Sequence, residues 1–311
     1  MVDTASTYVL GDWGTSHLRL YLMEGSRVCA EREGPGIGGL TRTPGDVLLE
    51  LLADWSNERS QLDVTLCGMA SSRNGLQELP YAASPADVAD WAQAAQRLQI
   101  GNLRVLLANG LKYQDEAGGF DVMRGEETQI FGALQIKPAL REGNHCVVLP
   151  GTHSKWVALE SGVIRSFSTV ITGELYALLS HDSTLLKAAS EAGAASDSDI
   201  GFAAGSADSL QLRTSLLSAL FRTRTAQLLQ GRSRAWASGY LSGLLIGYEV
   251  ASMGTDLPQQ VTIIGQSQLA SLYREVFAAR RVAVNALDGA DCARSGLCEL
   301  RKFWLERGNE K

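Results

Sequence analysis

The 311-residue chain has few features that would place it outside ordinary globular proteins, and each shortage excludes something. It has five cysteines, an odd set without a CxxC pair, which excludes a disulfide-stapled scaffold; we expect Cys29, Cys67, Cys146, Cys292 and Cys298 to be reduced and buried. It has no block of Lys and Arg, and 28 basic residues stand against 34 acidic ones, so a nucleic acid or an anionic membrane is not the expected partner. No apolar run reaches the ~18 residues of a membrane span, and the N-terminus lacks a basic region followed by an apolar one. The expected location is therefore the cytoplasm.

The most informative feature is an internal echo. The segment GDWGTSHLRLYLMEGSRV from Gly11 returns as LPGTHSKWVALESGVI from Leu149, with Gly14-Thr15 and Gly151-Thr152 lying 137 residues apart. In each copy a strand runs into Gly-Thr, a second alternating strand follows, and a Gly-bearing turn leads to a third. Around these hairpins, strands alternate with helices, which specifies two α/β domains on mixed sheets with a boundary near Lys137-Pro138, giving 1–137 and 138–311. Helices are expected over 46–56, 85–98, 126–136, 173–179, 209–229, 235–253 and 267–279. The small-residue stretch Ala188–Gly205 reads as a surface loop, and Gly239, Gly243 and Gly247 give one smooth helix face suited to close packing.

A turn of small residues at a strand end presents backbone N–H groups to a common space, a nest for phosphate oxygens. Gly at these turns is expected to tolerate positive φ and to let a ligand approach the backbone closely. The candidates are Gly14, Thr15 and Ser16 in the first copy, and Gly151, Thr152, His153, Ser154 and Lys155 in the second. Two such turns, one per domain, are expected to face a cleft. Asp12 would repel phosphate unless a cation intervened, which makes it a Mg²⁺ candidate, with capping of its own turn as the bland alternative. Lys155 reads equally as a phosphate ligand and as a solvent-exposed strand residue.

The strings GDWGTSHLRLYL, GMASSRNGL, RGEETQIFGAL, VLPGTHSKWV, TVITGELYALLS and IIGQSQLASLY together resemble the 2-dehydro-3-deoxygalactonokinases, over nearly the whole chain. That family lies within the actin and hexokinase superfamily of sugar kinases, so the resemblance implies two RNase H-like domains around an interdomain cleft. It also implies ATP-dependent phosphorylation of the terminal (6-) hydroxyl of 2-dehydro-3-deoxy-D-galactonate, in galactonate catabolism, with ATP and Mg²⁺ as cofactors. The helix that begins at Glu126 and Glu127 would carry the general base, where the superfamily usually has Asp. Gly265 and Gln266 fall in the adenosine motif, with Gln266 where a second glycine is usual.

Arg73 follows a strand and small residues, and its guanidinium suits a substrate carboxylate, with Ser71, Ser72 and Arg124 as further substrate contacts. Three rival readings stand beside this one. Another sugar kinase of the same superfamily would differ only in substrate. A non-catalytic sensing member would keep the nests without a base, and a transcriptional version would add an N-terminal DNA-binding helix pair that this sequence does not present. A Cys67 nucleophile with His153 as base would make a hydrolase. ATP and a small sugar acid are the expected partners, and a homodimer stays open.

Overall fold

The computed structural model describes residues 7–56, 60–187, 194–210, 215–254 and 257–308. In chain order the elements are strands β1 (Thr7–Trp13), β2 (His17–Glu24) and β3 (Arg27–Pro35), helices α1 (Pro44–Leu51) and α2 (Ala53–Ser56), and strand β4 (Leu62–Gly68). Then come β5 (Ala82–Ala83), α3 (Val88–Ala94), β6 (Gln96–Ile100), β7 (Leu103–Leu107), β8 (Leu111–Gln114), β9 (Phe120–Met123) and α4 (Glu126–Ile136). Next are β10 (Asn144–Leu149), β11 (Ser154–Glu160), β12 (Val163–Val170), α5 (Thr172–His181), α6 (Ala195–Leu210), α7 (Leu216–Gln230) and α8 (Arg234–Ser252). The chain finishes with β13 (Gln260–Gly265), α9 (Ser267–Ala279), β14 (Ala283–Asp288) and α10 (Gly289–Gly308).

The fold is α/β on mixed sheets and divides into two compact units. Unit 1 is Met1–His145, Val157–Ser168 and Leu287–Lys311; unit 2 is Cys146–Trp156 and Thr169–Ala286. This is not a single cut at Lys137-Pro138, because α10 joins the N-terminal unit and the division passes through β11, β12 and β14.

In unit 1 the six-stranded sheet runs β3-β2-β1-β4-β7-β6, with β1, β4 and β7 parallel. The two-residue period sorts β1 and β4. Val9, Trp13, Leu62, Val64 and Leu66 enter one core with Leu48, Leu52 and Trp55 of α1 and its neighbours, while Asp12, Asp63, Thr65 and Cys67 have the opposite parity. Helix α4 packs on α10 at a spacing that admits no side chain: a Cβ on Gly132 would lie 1.8 Å from the Cys292 carbonyl oxygen.

The five-stranded sheet runs β12-β11-β10-β13-β14, with β10 and β13 parallel. Its core of Val148, Trp156, Ile246, Val261, Ile263, Tyr273 and Phe277 lies between strands and the helices α8 and α9. Helices α6 and α8 meet as closely as α4 and α10 do. A Cβ on Gly243 would lie 2.1 Å from Phe202 O and one on Gly205 2.1 Å from Tyr240 O. The smooth glycine face of α8 therefore serves helix packing.

That contact also corrects the expected loop over Ala188–Gly205. From Ala195 the segment is helix α6, and its small residues are what the contact requires; residues 188–193 lie outside the described residues. Two other expectations change. The helix expected over 85–98 ends at Ala94 and gives way to the edge strand β6, and the one expected over 209–229 is the end of α6 followed by α7. The small sheet β5-β8-β9 was not expected. No helix of the described residues is long and apolar enough to cross a membrane.

Candidate active site

The candidates of unit 1 collect at the C-terminal ends of β1 and β4. Parallel pairing sets Asp12 opposite Cys67 and Trp13 opposite Gly68. Gly68 has φ +74°, and a Cβ there would press on the Trp13 carbonyl at 2.7 Å. Gly125, with φ +115°, brings the start of α4 against it: a Cβ on Gly125 would lie 3.3 Å from Gly68 Cα. Two glycines thus let the first residues of α4 reach the end of the sheet.

Three carboxylates meet there, each in a different state. Asp12 accepts the Cys67 thiol on Oδ1 at 3.5 Å. Burial pushes the Asp12 carboxyl above its ordinary value, and the nearby charge of Glu126 adds to this. Glu127 is fully buried. Both its oxygens accept the Gly125 N–H (2.9 and 2.8 Å), and Oε1 also accepts the Thr128 hydroxyl at 3.1 Å. Burial first, then Glu126, pushes Glu127 up to about 8. Glu126 is only half-buried, with Oε2 accepting the Arg124 N–H at 3.0 Å. Successive helix residues point about 100° apart, which is why one glutamate is interior and its neighbour is not.

The Gly14–Ser16 turn has its carbonyls tied down from beneath. Ile37 N–H donates to Gly14 O (3.1 Å), Gly38 N–H to Thr15 O (2.9 Å) and Gly36 N–H to Ser16 O (3.2 Å). Unit 2 repeats the device: Glu174 N–H donates to Thr152 O at 2.9 Å, and Gly173 packs where a Cβ would lie 2.3 Å from Gly151 O. Among the described residues, the amides of Thr15, Ser16, Gly151, Thr152 and His153 have no protein acceptor. Neither Gly14 nor Gly151 has positive φ, so the reading of these glycines by φ is corrected; they serve by leaving the turn bare of side chains.

Several candidate side chains are committed inside the protein. Ser154 is fully buried in a network in which Tyr273 donates to Glu249 Oε2 (2.6 Å) and Trp156 Nε1 to Glu249 Oε1 (2.7 Å), with the Ser154 and Tyr273 hydroxyls 3.0 Å apart. Lys155 is buried, not solvent-exposed, and donates to the Thr169 hydroxyl at 2.7 Å. His153 is exposed and pairs with Glu174 at 2.6 Å. Gly265 ends the parallel strand β13 beside the second turn, with a Cβ there 3.7 Å from Pro150 O, and the exposed Gln266 follows it. Gln266 occupies the N-cap of α9 without spending its side chain there.

The substrate candidates also divide. Arg124 Nη1 donates to Ser71 O and Ser71 Oγ (both 2.7 Å) and Nη2 to Leu79 O (3.0 Å), with the guanidinium 4.2 Å from the Tyr81 ring centroid. It clamps the 69–81 loop and consumes Ser71. Ser72 Oγ, by contrast, is buried without a partner, and Arg73 is exposed and unpaired among the described residues. Sequence reasoning missed Asn109, a fully buried side chain just beyond β7 whose Oδ1 has no partner. Asn109-Gly110 reads in sequence as an ordinary turn pair, which hid it.

The Cys67 nucleophile reading fails. Burial, then the charges of Asp12 and Glu127, hold the thiol well above its ordinary value, and a thiol held protonated is a poor nucleophile. All five cysteines are free; Cys67 and Cys292 are buried, but Cys29 is exposed on the edge strand β3, against expectation.

Bare amides beside carboxylates at parallel strand ends suit phosphoryl groups, and comparison with known proteins gives the same class, a phosphotransferase. The model of the family described as 2-keto-3-deoxy-galactonokinase matches residues 12–300, and the chain belongs to that family. A Rhizobium meliloti (strain 1021) protein named "Probable 2-dehydro-3-deoxygalactonokinase DgoK1" is 34% identical over 97% of this chain and 99% of its own. The Escherichia coli (strain K12) 2-dehydro-3-deoxygalactonokinase is 33% identical over 93% and 96%. The crystal structure of a Sinorhizobium meliloti protein assigned as a 2-dehydro-3-deoxygalactonokinase is 34% identical, covers 95% of this chain and 96% of that one, and superposes with a TM-score of 0.86.

Proposed function

We propose that the protein transfers the γ-phosphoryl group of ATP to the 6-hydroxyl of 2-dehydro-3-deoxy-D-galactonate in galactonate catabolism. The observation that carries this reading is the pair of turns whose carbonyls are tied down and whose amides are left free, one in each unit. Family membership supports the sugar acid as acceptor and ATP as donor.

Each group has a role in the transfer. The amides of Thr15, Ser16, Gly151, Thr152 and His153 bind phosphate oxygens, and the Gly265-Gln266 segment receives the nucleoside. Arg73 holds the substrate carboxylate by its planar fork, with Ser72 and Asn109 left to bond hydroxyls. Glu126 accepts the proton of the attacking hydroxyl as its oxygen bonds to phosphorus and the bond to ADP breaks.

Asp12 fits Mg²⁺. Burial makes its negative charge costly, its one described partner is a weak thiol donor, and Mg²⁺ needs only one or two carboxylates when phosphates and waters complete its shell. The described residues hold no cluster of three or more His, Cys, Asp or Glu that would form an all-protein metal cage, which is compatible with that sparse coordination. Bound there, Mg²⁺ would neutralise phosphate charge.

The test is ADP release with MgATP across 2-keto-3-deoxy acids, aldonates and aldoses. Release with 2-dehydro-3-deoxygalactonate, and its loss in Asp12→Asn, is expected. Release with plain hexoses and none with keto acids would sink the assignment.

A further inference from the structure

On the α10 side of the unit 1 sheet lies a cavity of about 510 Å³, within the size range of small-molecule sites. Asp63, Arg97, Arg104, Leu106, Arg301 and Trp304 line it. It lies away from the proposed transfer chemistry: Asp63 is five residues back along β4 from Gly68, about 16 Å at the rise of a strand. We propose that this cavity is a second anion site, which takes a phosphate monoester on a small carbon skeleton.

The charge is the first argument. Three guanidiniums face one carboxylate. Asp63 serves Arg104 at 2.6 Å and Arg301 at 3.6 Å, while Arg97 has no carboxylate partner among the described residues and lies 4.8 Å from the Trp304 ring centroid. The surplus of two positive charges matches a phosphate monoester, which carries roughly −1.5 to −2 at pH 7.

The second argument is an unspent donor. Arg301 is 9% exposed and fixed by its stack on Tyr8, 4.1 Å from the ring centroid, yet its buried Nε has no acceptor. Buried guanidinium N–H groups are ordinarily satisfied, and Arg301, which lines the cavity and pairs with Asp63 only at 3.6 Å, is therefore incompletely partnered. The buried Leu106 and the Trp304 face supply apolar wall for a carbon skeleton, so bare phosphate fills less of the site than an ester does.

The experiment is calorimetric titration of the full chain with sn-glycerol 3-phosphate, inorganic phosphate and glycerol. Saturable binding of the ester, weaker binding of phosphate and none of glycerol are expected. The double substitution Arg97→Glu with Arg104→Glu, at two exposed positions, should weaken the ester by at least tenfold and leave kinase turnover unchanged. Asp12→Asn should bind the ester as the unsubstituted protein does. No saturable binding overturns the proposal, as does binding that Asp12→Asn abolishes and the double variant keeps. A double variant that changes oligomeric state, in a protein that binds no phosphate, would give this face to a second copy of the chain and also overturn it.

Discussion

The Cys67 thiol donates to Asp12 Oδ1 over 3.5 Å, across the register that sets the two residues side by side on the parallel strands β1 and β4. Burial and the two flanking carboxyls keep that thiol protonated. The cysteines should therefore react in an order that follows exposure. Iodoacetamide on the native protein should label Cys29 first, and Cys67 and Cys292 only after denaturation, as read by peptide mass spectrometry. Native labelling of Cys67 at a rate near that of Cys29 would contradict the buried cluster.

Gly132→Ala should be among the most damaging single methyl additions in the chain. The added carbon would lie 1.8 Å from the Cys292 carbonyl oxygen, which is α10 backbone that cannot rotate aside. Separating α4 from α10 costs roughly 1–3 kcal/mol or more as an overpacked contact, visible as a lowered Tm. Gly143→Ala, with nothing within 4 Å but φ +72°, should cost less, on the order of 1 kcal/mol.

The parts of the fold legible in sequence were those with a strict period. Alternation in β2 and the 3.6-residue repeat of α9 placed those elements to within about a residue. Edge strand β6 was illegible because Gln96, Arg97 and Gln99 are exposed, so no buried stripe separates them from the alanine-rich helix before them. Helix α6 was illegible for the opposite reason: its Ala, Gly and Ser content looks like a loop, yet small residues are what a helix needs to touch α8. The turns stood out by repetition, and Asp12 as a carboxylate just before the first of them. Which serines and arginines were already consumed, such as Ser71 by Arg124, depends on long-range contacts that no spacing encodes.

Arg73 and Arg124 should part company on substitution. Arg124→Lys breaks a fork on the Ser71 and Leu79 carbonyls and should lower stability by about 1–3 kcal/mol. Arg73→Lys loses no described contact, so Tm should hold while KM for the sugar acid rises and KM for ATP does not. A Tm loss in Arg73→Lys, or an effect on ATP alone, would remove Arg73 from the substrate site.

Glu127 should leave a signature in stability against pH. Its carboxyl releases a proton near 4.3 in the unfolded chain and near 8 in the folded one. Between those values the native state holds the extra proton, so this group makes stability fall as pH rises, by up to about 1.4 kcal/mol per pH unit, until the loss is complete above 8. Glu127→Gln removes that dependence. Its Tm relative to the unsubstituted protein should therefore climb from pH 5 to pH 8.5; a flat difference would mean Glu127 is ionised throughout.

The same pair decides the general base, and the geometry favours Glu126. Glu127 has both oxygens engaged by the Gly125 amide, one of them also by Thr128, and its burial favours the protonated form at neutral pH. A carboxyl that already holds its proton cannot take another from a hydroxyl. Glu126 is half-buried, with a described bond to only one oxygen, and its charge reaches Asp12, the proposed metal-side carboxylate. A loose phosphoryl-transfer transition state needs the hydroxyl proton only late, so the base supplies part of the acceleration, roughly 10²–10⁴-fold. Glu126→Gln should lower kcat by about that factor with both KM values nearly unchanged. Glu127→Gln should cost less, because Gln can still accept the Gly125 N–H and hold the start of α4 in place. If Glu127→Gln shows the larger loss in kcat, the base is one residue further along. If neither variant loses more than about tenfold, the base lies elsewhere and both glutamates serve only the helix N-terminus.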